Sequence, residues 1–150
     1  QLWIGRQLAA RETKDLHAGA VTAVLDLTAE FSEPPALRRL RYFNVPVLDL
    51  TAPSSVQLED ALAFIEREAR HGIVYVHCKI GYSRTACIAG RYLLHAGIAT
   101  DPDHAIRRLR AARPSIVIRP EAEAILREPT NPRRPRENAP GNPESADSKP

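Results

Sequence analysis

The stretch Ile73 to Thr85, I-V-Y-V-H-C-K-I-G-Y-S-R-T, constrains the fold more than any other part of the chain. Ile73 to His77 follow a His71-Gly72 break and carry β-branched, apolar and aromatic side chains without polar alternation, the pattern of a strand buried on both faces. The strand ends on Cys78. A loop with Gly81 near its middle follows, and from Thr85 onward Ile88, Leu93 and Leu94 recur at helical spacing. Such a turn puts a thiol where loop N–H groups and the N–H groups of a helix start converge, which favours anions through hydrogen bonds and the helix dipole together. A thiol in that field gives up its proton more readily than a free one. Cys78 is therefore the expected nucleophile, and Lys79, Ile80, Gly81, Tyr82 and Ser83 are expected to offer backbone N–H groups to a phosphate. Arg84 can return across the loop and grip two phosphate oxygens with its planar fork, more tightly as charge spreads during transfer. Gly81 lets the backbone take the positive φ that such a cradle uses.

The run His77-Cys78-Lys79-Ile80-Gly81-Tyr82-Ser83-Arg84-Thr85 resembles the H-C-x-x-G-x-x-R-[ST] signature of the cysteine-dependent protein tyrosine phosphatases, and its G-Y-S-R-T ending resembles their dual-specificity branch. The resemblance implies an α/β domain with a central, mostly parallel sheet flanked by helices. It also implies a two-step reaction through a phosphocysteine, without metal or cofactor. His77 is expected to hydrogen-bond neighbouring backbone and support the thiolate. Thr85 is expected either to donate its hydroxyl to the thiolate during hydrolysis or to cap the helix.

Breaking a phosphate ester is easier when the leaving oxygen is protonated as the bond breaks, so a carboxylic acid is needed near the thiol. Asp49 stands 29 positions before Cys78, in the loop leaving the strand Tyr42 to Val47. In a parallel sheet that loop lies at the edge where Cys78 emerges, and ligand sites form there. Asp49 resembles the family's general acid in position. Asp26, also at a strand end, is the rival, and reads more strongly as a strand-end turn residue.

The remaining segments agree with a parallel sheet covered by helices. Leu2-Trp3-Ile4-Gly5 reads as a first strand with a glycine turn, Arg6 to Lys14 as a polar connection or short helix, and Val21 to Leu27 as a strand. Pro34-Pro35 opens a helical turn through Leu37 and Leu40. Ser54 with Gln57 fits a capping box for a helix from about Val56 to Arg70, with Leu58, Leu62, Ile65 and Ala69 on one face. Asp101-Pro102 starts another helix with Ala105, Ile106 and Leu109 inward and Arg107, Arg108, Arg110 and Arg113 outward. Arg113 to Pro120 lead into a last helix ending near Arg127. Cys87, beside Ile88, reads as a small buried hydrophobe. The His residues at 17, 71, 77, 95 and 104 show no metal-ligand spacing.

The resemblance spans Leu2 to Arg127, so residues 1–128 are expected to form the phosphatase domain. From Pro129 to Pro150 proline, asparagine, serine and charges dominate without apolar period, as in a disordered tail. The chain contains no Met, even at position 1, which reads as a piece of a longer protein. No window approaches 18 uninterrupted apolar residues, so no transmembrane segment is expected. Two Cys and no signal peptide suggest a reducing, cytoplasmic setting. A net charge of +3 suits acidic ligands but is too small to point to nucleic acid.

The family's classical tyrosine-specific enzymes carry an upstream tyrosine-recognition motif and a W-P-D loop, and this chain has neither. A shallower pocket is implied, open to phosphoserine and phosphothreonine as well as phosphotyrosine, so a phosphoprotein is the first expected substrate. A phospholipid such as phosphatidylglycerophosphate or a phosphoinositide is the second. Lys79 after the cysteine, the Leu48 to Ser54 wording and the I-x-I-R-P run at Ile116 to Pro120 resemble the superfamily's lipid-phosphate phosphatases, whereas Tyr82-Ser83 is the protein-phosphatase version. An Asn common after that proline in other members is replaced by Glu121. A catalytically silent phosphate-binding module is the third reading.

Overall fold

A computed structural model describes residues 1–30 and 34–129. Among these, four strands form one sheet in the order β1-β4-β2-β3, where β1 is Leu2–Arg6, β2 Val21–Thr28, β3 Arg41–Val47 and β4 Ile73–Cys78. Every neighbouring pair is parallel. The expected disordered tail lies, apart from Pro129, outside the described residues.

The absence of polar alternation in β4 has a direct cause. Val74, Val76 and Cys78 face a core completed by Ala61, Phe64 and Ile65 of helix α2 (Ser55–Glu68) and Ile88 of helix α3 (Ser83–His95). Tyr75 faces the other way, into a cluster with Leu16 of helix α1 (Thr13–Ala18), Val24 and Leu37. A strand covered on both faces has no solvent side on which to put polar residues. Burying a side chain such as Ile65 or Ile88 contributes about 1.5–3 kcal/mol. An exposed i,i+4 pair such as Glu66 with Arg70 contributes a few tenths at most. Packing, not surface charge, holds α2 and α3 to the sheet.

Helix α4 (Pro102–Ala112) and helix α5 (Pro120–Arg127) complete the layer by packing on α3. Ala86 and Ala89 of α3 meet Leu109 and Ile116, and the small side chains allow that approach. The local start signals act as their sequences imply. The Ser54 hydroxyl accepts from the Gln57 N–H while Gln57 returns to the Ser54 N–H, and the Asp101 carboxylate accepts from the His104 N–H.

Four boundaries differ from the sequence expectation. Gly5 lies inside β1 instead of turning the chain, and a Cβ there would sit 2.0 Å from the Tyr75 hydroxyl, which donates to the Arg6 carbonyl. The segment Arg6 to Lys14, expected as a polar connection or short helix, holds a helical turn at Ala10–Glu12 and the start of α1, which runs on to Ala18, anchored by buried Leu16. Helix α2 stops at Glu68, whose buried carboxylate accepts from Arg41 of β3 and from Arg67. Helix α3 begins at Ser83, two residues before Thr85, because the turn is already complete at Gly81.

Candidate active site

Because every strand is parallel, the loops that leave β2, β3 and β4 open on one edge of the sheet. Cys78 ends β4 with only 3% of its surface exposed, and its carbonyl accepts from the Gln7 N–H at 2.8 Å. The loop then turns through Gly81 at φ +76°. Two constraints meet at this glycine. The left-handed conformation disfavours any side chain, and a Cβ would lie 2.2 Å from the Gly5 carbonyl oxygen, in backbone that cannot step aside. Gly81→Ala is therefore expected to destabilise the domain by about 2–4 kcal/mol. Thermal melting checks this; an unchanged Tm would contradict the described loop.

Helix α3 starts without a side-chain cap. Tyr82, its N-cap residue, makes no capping hydrogen bond, unlike Ser54 and Asp101 on α2 and α4. The first turn of α3 thus has no built-in acceptor of its own, which suits an anion arriving from outside. Thr85 is the third residue of the helix and so does not cap it. Its buried hydroxyl lies 3.5 Å from the Gly5 carbonyl, at the long limit of a hydrogen bond.

Arg84 turns back under the loop with 4% of its side chain exposed. Its Nη1 donates to the Val47 carbonyl at 2.8 Å, and Nη1 and Nη2 together take both oxygens of the Glu30 carboxylate at 3.0 and 2.8 Å. Asp49 Oδ1 stands 3.3 Å from Nη2. Burial would lower the Arg84 pKa, but the Glu30 hydrogen bond and the charges of Cys78, Glu30 and Asp49 raise it above its ordinary value. The hydrogen bond from Arg84 in turn holds Glu30 below the usual carboxylate range, against the opposing effect of burial. A cation is thus fixed beside the thiol with its charge secured.

Asp49 sits two residues past the end of β3, with its side chain 60% exposed. The Thr51 hydroxyl closes this loop by donating to the Leu48 carbonyl at 2.9 Å, and Leu50 takes the left-handed conformation at φ +64°. Asp49, Cys78, Ile80, Tyr82, Ser83, Arg84 and Arg119 line one cleft. A wider hollow at the opposite edge, bordered by Glu66, Arg70, Tyr92 and His95, has no cysteine in its lining.

The structure therefore brings Cys78, Arg84 and Asp49 together and separates the rival acid. Asp26 is buried, and its carboxylate accepts from the Thr28 N–H, the Thr28 hydroxyl and the Tyr42 hydroxyl at 2.7–2.8 Å. His77 is buried against the Tyr75 ring. Burial lowers its pKa, opposed by the Asp26 charge and a backbone hydrogen bond at Cys78. Lys79 is exposed. Cys87 is a core residue whose thiol burial pushes up to about 12.

Three residues near the cleft escaped sequence reasoning. Glu30 follows β2 on the same sheet edge, but nothing local couples it to Arg84. Arg119 lies in the I-x-I-R-P run and enters the cleft because its N–H donates to the Ser83 hydroxyl at 3.3 Å. Arg113, expected outward with Arg107, Arg108 and Arg110, is half-buried instead. Its Nη2 donates to the Ile80 carbonyl at 3.0 Å and its guanidinium covers the Tyr82 ring, because the end of α4 passes over the phosphate loop.

A parallel sheet whose central strand ends in a cysteine, with an arginine curled beneath the following loop, defines the cysteine-dependent protein tyrosine phosphatase class. Residues 2–131 match the family model "Dual specificity phosphatase, catalytic domain", so the chain belongs to that family. It is similar to the dual specificity protein phosphatase 19 of Mus musculus, 31% identical over 121 residues, which cover 79% of this chain and 54% of that protein. It is also similar to the tyrosine-protein phosphatase CDC14 homolog of Schizosaccharomyces pombe, 32% identical over 82 residues, 55% of this chain and 15% of that one. The matched region is thus about half or less of these relatives' length. The fold is shared with a crystal structure of PTPMT1 in complex with PI(5)P, at TM-score 0.74 and 24% identity, covering 85% of this chain and 88% of that one.

Proposed function

We propose that this chain hydrolyses phosphomonoesters through a phosphocysteine. The observation that carries the reading is the convergence of Cys78, Arg84 and Asp49 on one cleft. The Cys78 thiolate attacks phosphorus while Arg84 and the loop N–H groups hold the equatorial oxygens, and Asp49 gives its proton to the departing oxygen. Asp49, now a carboxylate, takes a proton from water as that water attacks the phosphocysteine, and Cys78 leaves as thiolate. The Thr85 hydroxyl, weakly held at 3.5 Å, is free to turn toward the departing sulfur. His77 acts by packing and backbone support. A silent binding module has no use for an acid set this close to a nucleophile.

The names of the relatives support a phosphoprotein, with phosphotyrosine, phosphoserine and phosphothreonine all able to enter a cleft whose acid is largely exposed. A specific observation favours a second substrate class: Arg119 borders the cleft and Lys79 stands exposed beside the nucleophile, two cations suited to a substrate with a further anionic group, as in a phospholipid. Phosphate release with EDTA and reductant, from a phosphotyrosine peptide, a phosphothreonine peptide and phosphatidylglycerophosphate, tests both. Release from the peptides alone supports the first class and preference for the lipid supports the second. Release from none, with an aryl phosphate also untouched, overturns the reaction.

A further inference from the structure

Eight large apolar side chains stand exposed among the described residues, and five of them, Leu48, Leu50, Val56, Ile80 and Val117, belong to segments at the sheet edge that carries the cleft. Leu48 and Leu50 flank Asp49, Ile80 is in the phosphate loop, Val56 is in the first turn of α2, and Val117 lies two residues before Arg119. Each is between 44% and 67% exposed. Exposed apolar residues scattered singly need no explanation, but a set gathered around one site marks an interaction surface. The charges on this edge select the partner. Lys79 beside Cys78 and Arg119 in the cleft lining are exposed, and the Arg119 guanidinium has no hydrogen bond or ion pair among the described residues. Of the carboxylates nearest the cleft, Glu30 is bonded to Arg84, and Asp49, though exposed, stands 3.3 Å from the same guanidinium. Next to the cleft the exposed charges are thus mainly cations, while Glu59 and Asp60 sit a turn further along α2 from Val56.

We infer that this edge is a docking surface for an anionic lipid bilayer, seating the cleft against the lipid headgroups. The inference rests on the phosphomonoester reading and takes the phospholipid class of substrate. Apolar side chains interspersed with cations match the boundary between acyl chains and anionic headgroups. They come from four separate segments around the cleft, not from one edge strand of the kind that takes on a peptide as a further strand.

The test compares the chain with a Val56→Glu/Val117→Glu variant. Neither residue belongs to the catalytic machinery, and a carboxylate in the first turn of α2 is compatible with the helix dipole. The chain is expected to sediment with vesicles of phosphatidylcholine and phosphatidylglycerol, not with phosphatidylcholine alone, and to be released by salt. The variant is expected to lose about tenfold in vesicle affinity while its turnover of a soluble aryl phosphate stays within about twofold, which also shows that it is folded. Equal vesicle binding by both proteins overturns the inference. So does absence of vesicle binding in a chain that hydrolyses the aryl phosphate. A matching tenfold loss of phosphotyrosine-peptide affinity in the Cys78→Ser background assigns the surface to peptides and overturns it too. Selective vesicle binding without any aryl phosphatase activity keeps the docking surface and overturns the reaction instead.

Discussion

Cys78→Ser is expected to lower phosphate release by roughly 10³-fold or more while leaving phosphate binding in place. A serine hydroxyl remains protonated where a thiol ionises, so the attacking anion is lost. The rest of the cradle does not depend on sulfur. Gly81 keeps its packing on Gly5, and Arg84 keeps its bonds to Glu30 and the Val47 carbonyl. Turnover of an aryl phosphate and calorimetric titration with inorganic phosphate measure the two effects separately. A variant with full activity would remove the phosphocysteine from the mechanism. Loss of both activity and phosphate binding would mean that the substitution has disordered the loop.

Asp49→Ala is expected to slow hydrolysis of alkyl phosphates by about 10²–10⁴-fold and of activated aryl phosphates far less. A good leaving group departs as an anion and needs no proton, so dependence on leaving-group pKa is the signature of the lost acid. Structural damage would slow both classes alike. Asp49 is exposed at 60%, and Arg84 retains Glu30 and the Val47 carbonyl without it, so stability should change by no more than about 0.5 kcal/mol. The measurement is a plot of log kcat/KM against leaving-group pKa for the chain and the variant. Parallel lines would move the acid elsewhere. Asp26 could take over only by leaving Thr28 and Tyr42, which occupy its carboxylate.

Elements coded by local chemistry were legible before any fold was known. The unbroken apolar run of β4, the Ser54 and Gln57 capping box and the Asp101-Pro102 start each act over a few residues, so their physics is complete within the sequence window that shows them. Cys78, Arg84 and the loop between them belong to the same class, because one strand–loop–helix turn contains them all. Asp49 was reachable by one further step, the rule that parallel strands deliver their loops to a common edge.

Boundaries and partners required the assembled molecule. Gly5 reads as a turn until Tyr75 is seen occupying the space its Cβ would need, and Arg113 reads as surface until α4 brings it over Ile80 and Tyr82. By itself, the sequence singled out Cys78 and its loop as the candidate site and determined the parallel α/β architecture, since these follow from residue type and short-range period. Only the tertiary structure decided that Glu30 secures Arg84 across 54 positions and that Arg119 enters the cleft. It also gathered the exposed apolar side chains of four segments around one edge. Those relations are set by how the chain closes on itself, where side chains far apart in sequence compete for the same few ångströms.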